Sequence, residues 1–169
     1  MLADTKYIPL RRYKMGLFGN KDEINVKLLS GQIKAVCGRS FMGGSSLDTF
    51  VEGDTCRVEA RYVLSNQICE ALGAMDAVVI VEVTRYGSFT VTLCCWDYVS
   101  MEKQKAFPRI QSTMESKGYT VFYREVNNDK DSAYITITKD GAKASEWKDE
   151  LAKFLNDIAV NALRPLSMM

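Results

Sequence analysis

A chain of 169 residues, 47% hydrophobic and 25% charged, suffices for one domain whose core needs neither disulfides nor a metal. Its formal net charge of +1 excludes an overall field that would select nucleic acid, membranes or acidic partners. Histidine is absent, which removes the commonest general base, the commonest metal ligand and the usual partner of a catalytic serine or cysteine.

Cysteine usage adds to this. Cys37, Cys56, Cys69, Cys94 and Cys95 are odd in number and show no C-x-x-C spacing. Cys94 and Cys95 are adjacent in a strand-like run, so they point to opposite faces and cannot clamp one ion. Free, buried thiols in a reducing compartment are expected, with a cytoplasmic location. No apolar run approaches the ~20 residues that span a bilayer, and the N-terminus lacks the apolar core of a secretory signal. No metal, cofactor or membrane partner is expected.

Residues 1–20 read as a basic, aromatic arm, and residues 21–169 as a single α+β domain. Pro9, Gly16 and Gly19 argue against a continuous helix in the arm. From Ile24 to Cys37 the alternation of Ile24, Val26 and Leu28, then Ser30-Gly31, then Ile33, Ala35 and Cys37 predicts a hairpin over 24–37. Gly38 to Ser46 reads as a loop. Residues 55–64 fit a strand, through Cys56, Val58, Ala60, Tyr62 and Leu64, and also fit a helical face. A helix is expected near 65–73, opened by Ser65 and closed by Gly73.

Ala77 to Val99 is the organising segment: two strands rich in β-branched and aromatic residues, joined at Tyr86-Gly87-Ser88. The unbroken apolar run Ala77–Val81 predicts a strand covered on both faces. Phe107-Pro108 opens a helix over 108–117, with Phe107, Ile110 and Met114 on one face. A further hairpin is expected over 119–138, turning at Asn127-Asn128-Asp129. Ala144, Trp147, Leu151, Phe154, Leu155, Ile158 and Ala162 mark a helix over 143–163, ended by Pro165. These elements predict one mostly antiparallel sheet with helices mainly on one face.

Charge is polarised along the chain. Residues 1–40 carry eight cations against three anions, and residues 41–100 three cations against eight anions. In the arm, Tyr7, Ile8, Leu10 and Tyr13 are candidate apolar anchors, and Arg11, Arg12 and Lys14 a charged rim. The plain reading of this polarity is an arm folded onto its own acidic middle. The sharper reading is a partner, or a second copy, engaged by the arm. The third is phosphate contact and base stacking on nucleic acid.

Three other features receive plain readings. Arg39, Gly43, Gly44 and Ser45 could form an anion-binding loop, but the G-K-[ST] of a phosphate loop is missing and a solvated connector accounts for them. Asp129 and Asp131 lack the glycine and distal glutamate of a calcium loop. Cys94 and Cys95 read as core packing. The expected function is therefore a non-catalytic protein-interaction module, a subunit or adaptor of a larger assembly. A nucleic-acid-binding protein and a histidine-free enzyme, with Glu82, Arg85 and Asp97 the residues to inspect, are the alternatives.

Overall fold

The computed structural model describes residues 22–61, 69–70, 76–96, 106–126 and 132–167. Helix α1 (Val26–Gly38) leads into β1 (Ser46–Glu52), β2 (Thr55–Arg61), β3 (Asp76–Thr84) and β4 (Phe89–Trp96). Helix α2 (Ala106–Ser116), β5 (Thr120–Val126), β6 (Ser132–Lys139) and α3 (Trp147–Ile158) follow. The strands form one six-stranded sheet in the order β1-β2-β3-β4-β6-β5, antiparallel at every pairing. Among the described residues, tight turns join β1 to β2 and β3 to β4, and α2 precedes β5, as expected for α+β.

Strand parity divides the sheet into two faces. Val58, Val81, Val91, Ile137 and Val121 stand in one cross-strand row, and Ala60, Val79, Leu93, Ile135 and Tyr123 in the next. All but the half-buried Tyr123 are buried, and all belong to one core with Ile33, Val36, Phe107, Ile110, Met114, Leu151, Phe154, Leu155 and Ile158 of the helices. The α3 side chains supply a stripe at helical spacing, and Phe154 meets Phe89 at a ring-centroid distance of 6.2 Å. Each such fully buried aliphatic or aromatic side chain contributes about 1.5–3 kcal/mol relative to exposure. Helix α1 lies over β1, β2 and β3 and touches α3, while α2 lies against β5.

The fold class, the two later hairpins and the helices near 108–117 and 143–163 agree with the sequence reading. The expected hairpin over 24–37 does not form; the segment is α1. Val26, Ile33, Val36 and Cys37 are buried at helical spacing, whereas Leu28, which fits only the alternating pattern, is 77% exposed. Asn25 caps the helix by accepting the Leu28 N–H at 3.0 Å, and Gly31 lies on its exposed side with open space around it. Residues 55–61 are strand, so the described part of the ambiguous 55–64 segment follows period two. Strand β1 was not expected at all. Pro165 does not end the last helix: α3 continues through a π turn, Ala159–Leu163, into a short α4 (Arg164–Ser167). There the Arg164 N–H reaches back to the Ala159 carbonyl. The wider turn brings Ala162 into the core and carries the helix past a residue with no N–H to donate. The helix near 65–73 and the turn at 127–131 fall largely outside the described residues, where only Cys69 and Glu70 are seen, both helical.

The β3–β4 turn is tied to the chain before α3. Gly87 has φ +84°, and its carbonyl accepts the Ala142 N–H at 3.0 Å. A Cβ on Gly87 would lie 2.3 Å from the Ala142 carbonyl oxygen, so backbone would have to move. Gly87→Ala should therefore lower stability by at least about 2 kcal/mol, combining a left-handed backbone with a backbone clash. Urea unfolding followed by circular dichroism checks this, and an unchanged midpoint would contradict it.

Candidate interaction surface

The other face of the sheet carries none of the core side chains of α1, α2 or α3. Its rows run Phe50–Arg57–Glu82–Thr90–Thr138–Thr120 and Asp48–Glu59–Ile80–Thr92–Thr136–Phe122. Across β4 and β6 the threonines pair, Thr90 with Thr138 at 3.2 Å and Thr92 with Thr136 at 3.3 Å. Such cross-strand pairs suit a surface open to water. The face is not purely polar. Val78 is buried yet stands outside the helix-covered core, and Ile80 and Cys94 are half-buried. The coverage of both faces of Ala77–Val81 that the apolar run predicts is thus met at Val78 and only in part at Ile80.

Large apolar groups lie open at both sides of this face. Phe122, 56% exposed, stacks on Tyr134 with centroids 6.0 Å apart. Phe50, 51% exposed, stands on the edge strand β1. Beside Phe50 is a groove of about 550 Å³ lined by Phe50, Val51, Glu52, Thr55, Arg57, Glu59 and Glu82. Arg57 pairs with Glu59 at 2.7 Å, and among the described residues Glu52 and Glu82 have no ion-pair partner. The groove therefore holds three carboxylates against one guanidinium beside an exposed ring. Among the described residues no strand pairs with the outer edge of β1, a seven-residue strand without lysine, proline or bulge.

The chain enters the described fold at the same end of the sheet. Arg85, in the β3–β4 turn, binds Glu23 at 3.2 Å and Asp54 at 3.0 Å. Its carbonyl accepts the Ile24 N–H and its N–H donates to the Asp54 carbonyl, each at 2.8 Å. Asp54 belongs to the β1–β2 turn, next to the groove residue Thr55. Arg85 thus clamps the segment leaving the arm to two hairpin turns. Of the residues singled out for inspection as an enzyme, Arg85 has this joining role, Glu82 lines the groove, and Asp97 falls outside the described residues.

The arm candidates Tyr7, Ile8, Leu10, Arg11, Arg12, Tyr13 and Lys14 also lie outside the described residues. Arg39, Gly43, Gly44 and Ser45 follow the C-terminus of α1, the end whose dipole disfavours anions. The N–H groups of Arg39, Ser40, Gly43 and Ser45 donate to Ala35, Cys37, Ser40 and Met42 carbonyls, and the Ser40 hydroxyl donates to the Cys37 carbonyl at 2.6 Å. Arg39 is exposed and lines a cleft of about 500 Å³ with Ser40, Phe41, Lys148, Asp149 and Asn156. Gly43, Gly44 and Ser45 do not line it.

Titratable groups elsewhere act within the fold. Burial, with the nearby Cys56 adding, pushes the Cys37 thiol up to about 12, and burial also raises Cys56 and Cys94. Such thiols are protonated and poorly nucleophilic at neutral pH. Tyr119 donates its hydroxyl proton to Asp157, which also accepts from Lys153 at 3.2 Å. Burial alone would raise the Asp157 carboxyl, but these hydrogen bonds hold it below the usual carboxylate range. The stabilisation is therefore present above that range and lost as pH falls through the depressed value. Tyr119→Phe should cost about 1.5–3 kcal/mol at pH 7, the range for a hydrogen bond to a charged group. The gap to wild type should narrow as the pH of a urea titration falls below 4, and a gap that stays constant would contradict the linkage.

Among the described residues no helix is long and apolar enough to cross a membrane, and no group of three or more Cys, Asp or Glu side chains could hold a metal ion. No protein-family model, curated protein or solved structure matches the chain.

The groove was beyond the reach of sequence periodicity, because its residues come from three strands. A signal for its edge strand exists all the same: Leu47, Thr49 and Val51 alternate directly before the turn residues Gly53-Asp54.

Proposed function

We propose that the chain is a non-catalytic protein-interaction module, a subunit or adaptor of a larger assembly, that docks through its N-terminal arm. The observation that carries this reading is the sheet face opposite α1, α2 and α3, where Phe50 and Phe122 stay exposed and Phe50 borders an acidic groove. Exposed aromatic groups rimmed by charge are what a docking surface offers. The arm has matching chemistry. Tyr7, Ile8, Leu10 and Tyr13 serve as anchors, and Arg11, Arg12 and Lys14 form a rim that steers towards an acidic surface. The partner is another protein or a second copy in a homo-oligomer, and a reducing, cytoplasmic setting suits the free thiols.

The nucleic-acid reading has a narrower basis. It rests on the arm's cations, whereas the groove at the β1–β3 end of the sheet carries three carboxylates and would repel phosphate.

A pull-down from native extract, comparing the full chain with its Arg11→Ala/Arg12→Ala variant, tests the proposal. The full chain should retain a stoichiometric protein partner that the variant loses at least tenfold. Retention of nucleic acid, lost steeply between 50 and 200 mM salt, would support the second reading instead. Equal protein retention by both chains would contradict docking through the arm.

A further inference from the structure

We propose that in the isolated protein the acidic groove of β1–β3 is occupied by the chain's own arm, residues 6–14. The proposal takes from the interaction-module reading the role of the arm as a docking element, and adds where that element rests when no partner holds it.

Charge complementarity is the first argument. Residues 6–14 carry four cations, Lys6, Arg11, Arg12 and Lys14, and no carboxylate. The groove presents Glu52, Glu59 and Glu82 against Arg57 alone, and Asp48 stands beside Glu59 on the same face. Glu52 and Glu82 have no ion-pair partner among the described residues. Apolar complementarity runs parallel to it. Phe50 and Val51 are exposed at the groove wall, and Tyr7, Ile8, Leu10 and Tyr13 lie among the arm's cations. An aromatic pair that leaves water there gains about 0.5–1.5 kcal/mol beyond its area.

The second argument is reach. The arm joins the fold at Asp22-Glu23, where Arg85 holds Glu23 against Asp54 of the β1–β2 turn. That turn sits between Glu52 and Thr55, both of which line the groove. The groove crosses two strand spacings, roughly 10 Å, and runs along β2 from Thr55 to Glu59, roughly 13 Å. Lys14 precedes Asp22 by eight residue steps, which extend to at most about 29 Å. The arm therefore reaches its own groove without strain. A tether this short gives an effective concentration in the millimolar range, above the micromolar concentration of a second copy. Occupation by the same chain is thus favoured over exchange between copies. A partner that draws the arm away then uncovers Phe50 and the groove.

Zero-length carbodiimide cross-linking of the full chain tests this, because it joins lysine amines only to carboxylates in contact. The protein is an equal mixture of ¹⁴N- and ¹⁵N-labelled chains at micromolar concentration. Lys6 and Lys14 should link to Glu52, Glu59 or Glu82, with both peptides of each link carrying the same isotope. In the Glu52→Gln/Glu82→Gln variant, the link to the remaining Glu59 should fall at least fivefold. Salt at 1 M should produce the same loss in the wild-type chain. Glu52 is exposed and Glu82 half-buried in the open groove, and circular dichroism confirms that the variant is folded. Links that are absent, or that fall equally on distant carboxylates such as Glu115 and Asp149, would overturn the proposal. Links to the groove with mixed isotopes would also overturn it, while leaving the interaction-module reading intact. Loss of the partner in the pull-down, by contrast, bears on that reading and not on this one.

Discussion

The packing of α3 on one face of the sheet is the contact on which the remainder depends. Leu151, Phe154, Leu155 and Ile158 are all buried, and Phe154 bridges Phe89 of β4 and Tyr119 before β5. Because side chains alternate along a strand, burying Val79, Val81 and Val83 sends Val78, Ile80 and Glu82 to the opposite face. One helix docking thereby sets the register of the core and, with it, which residues are left to meet solvent or a partner.

The two faces differ in chemistry along the same strands. On the covered face the cross-strand rows are valine and isoleucine, as a dry interior requires. On the other face the rows combine threonine pairs, carboxylates and exposed aromatics. Threonine keeps the β-branch that suits a strand while bringing a hydroxyl that tolerates water. The acidic groove at the β1–β3 end is a local excess of charge on that face. It sits where the Arg85 clamp delivers the N-terminal segment to the fold. The acidic groove and the chain's entry are thus neighbours because two hairpin turns and the segment before α1 meet at one end of the sheet.

Legibility in the sequence followed the strength of the local pattern. Residues 77–96 and 132–139 combine period two with β-branched side chains, and both proved to be strands. Residues 24–37 carry two patterns at once. Ile24, Val26 and Leu28 alternate, while Val26, Ile33 and Val36 recur at helical spacing. The helical set is the buried one, and Gly31 costs little because it faces outward. Strand β1 has only Leu47, Thr49, Phe50 and Val51 to announce it, since an edge strand has half its surroundings in water. The acidic character of residues 41–100 was readable, but its convergence needed the pairing of β1 with β2 and β2 with β3 to bring Glu52, Glu59 and Glu82 together.

One face of the sheet maintains the fold, and on the other Phe50 and Phe122 lie exposed. Thermal unfolding of Phe154→Ala and Phe122→Ser tests this most directly. Removing a buried phenylalanine costs about 3–5 kcal/mol, which for a chain of this size lowers Tm by about 6–20 °C. Phe122→Ser gives up only a surface stack on Tyr134, so its Tm should fall by about 1–6 °C, less than for Phe154→Ala. Equal losses for the two variants would mean that both faces carry the fold, and would contradict the account.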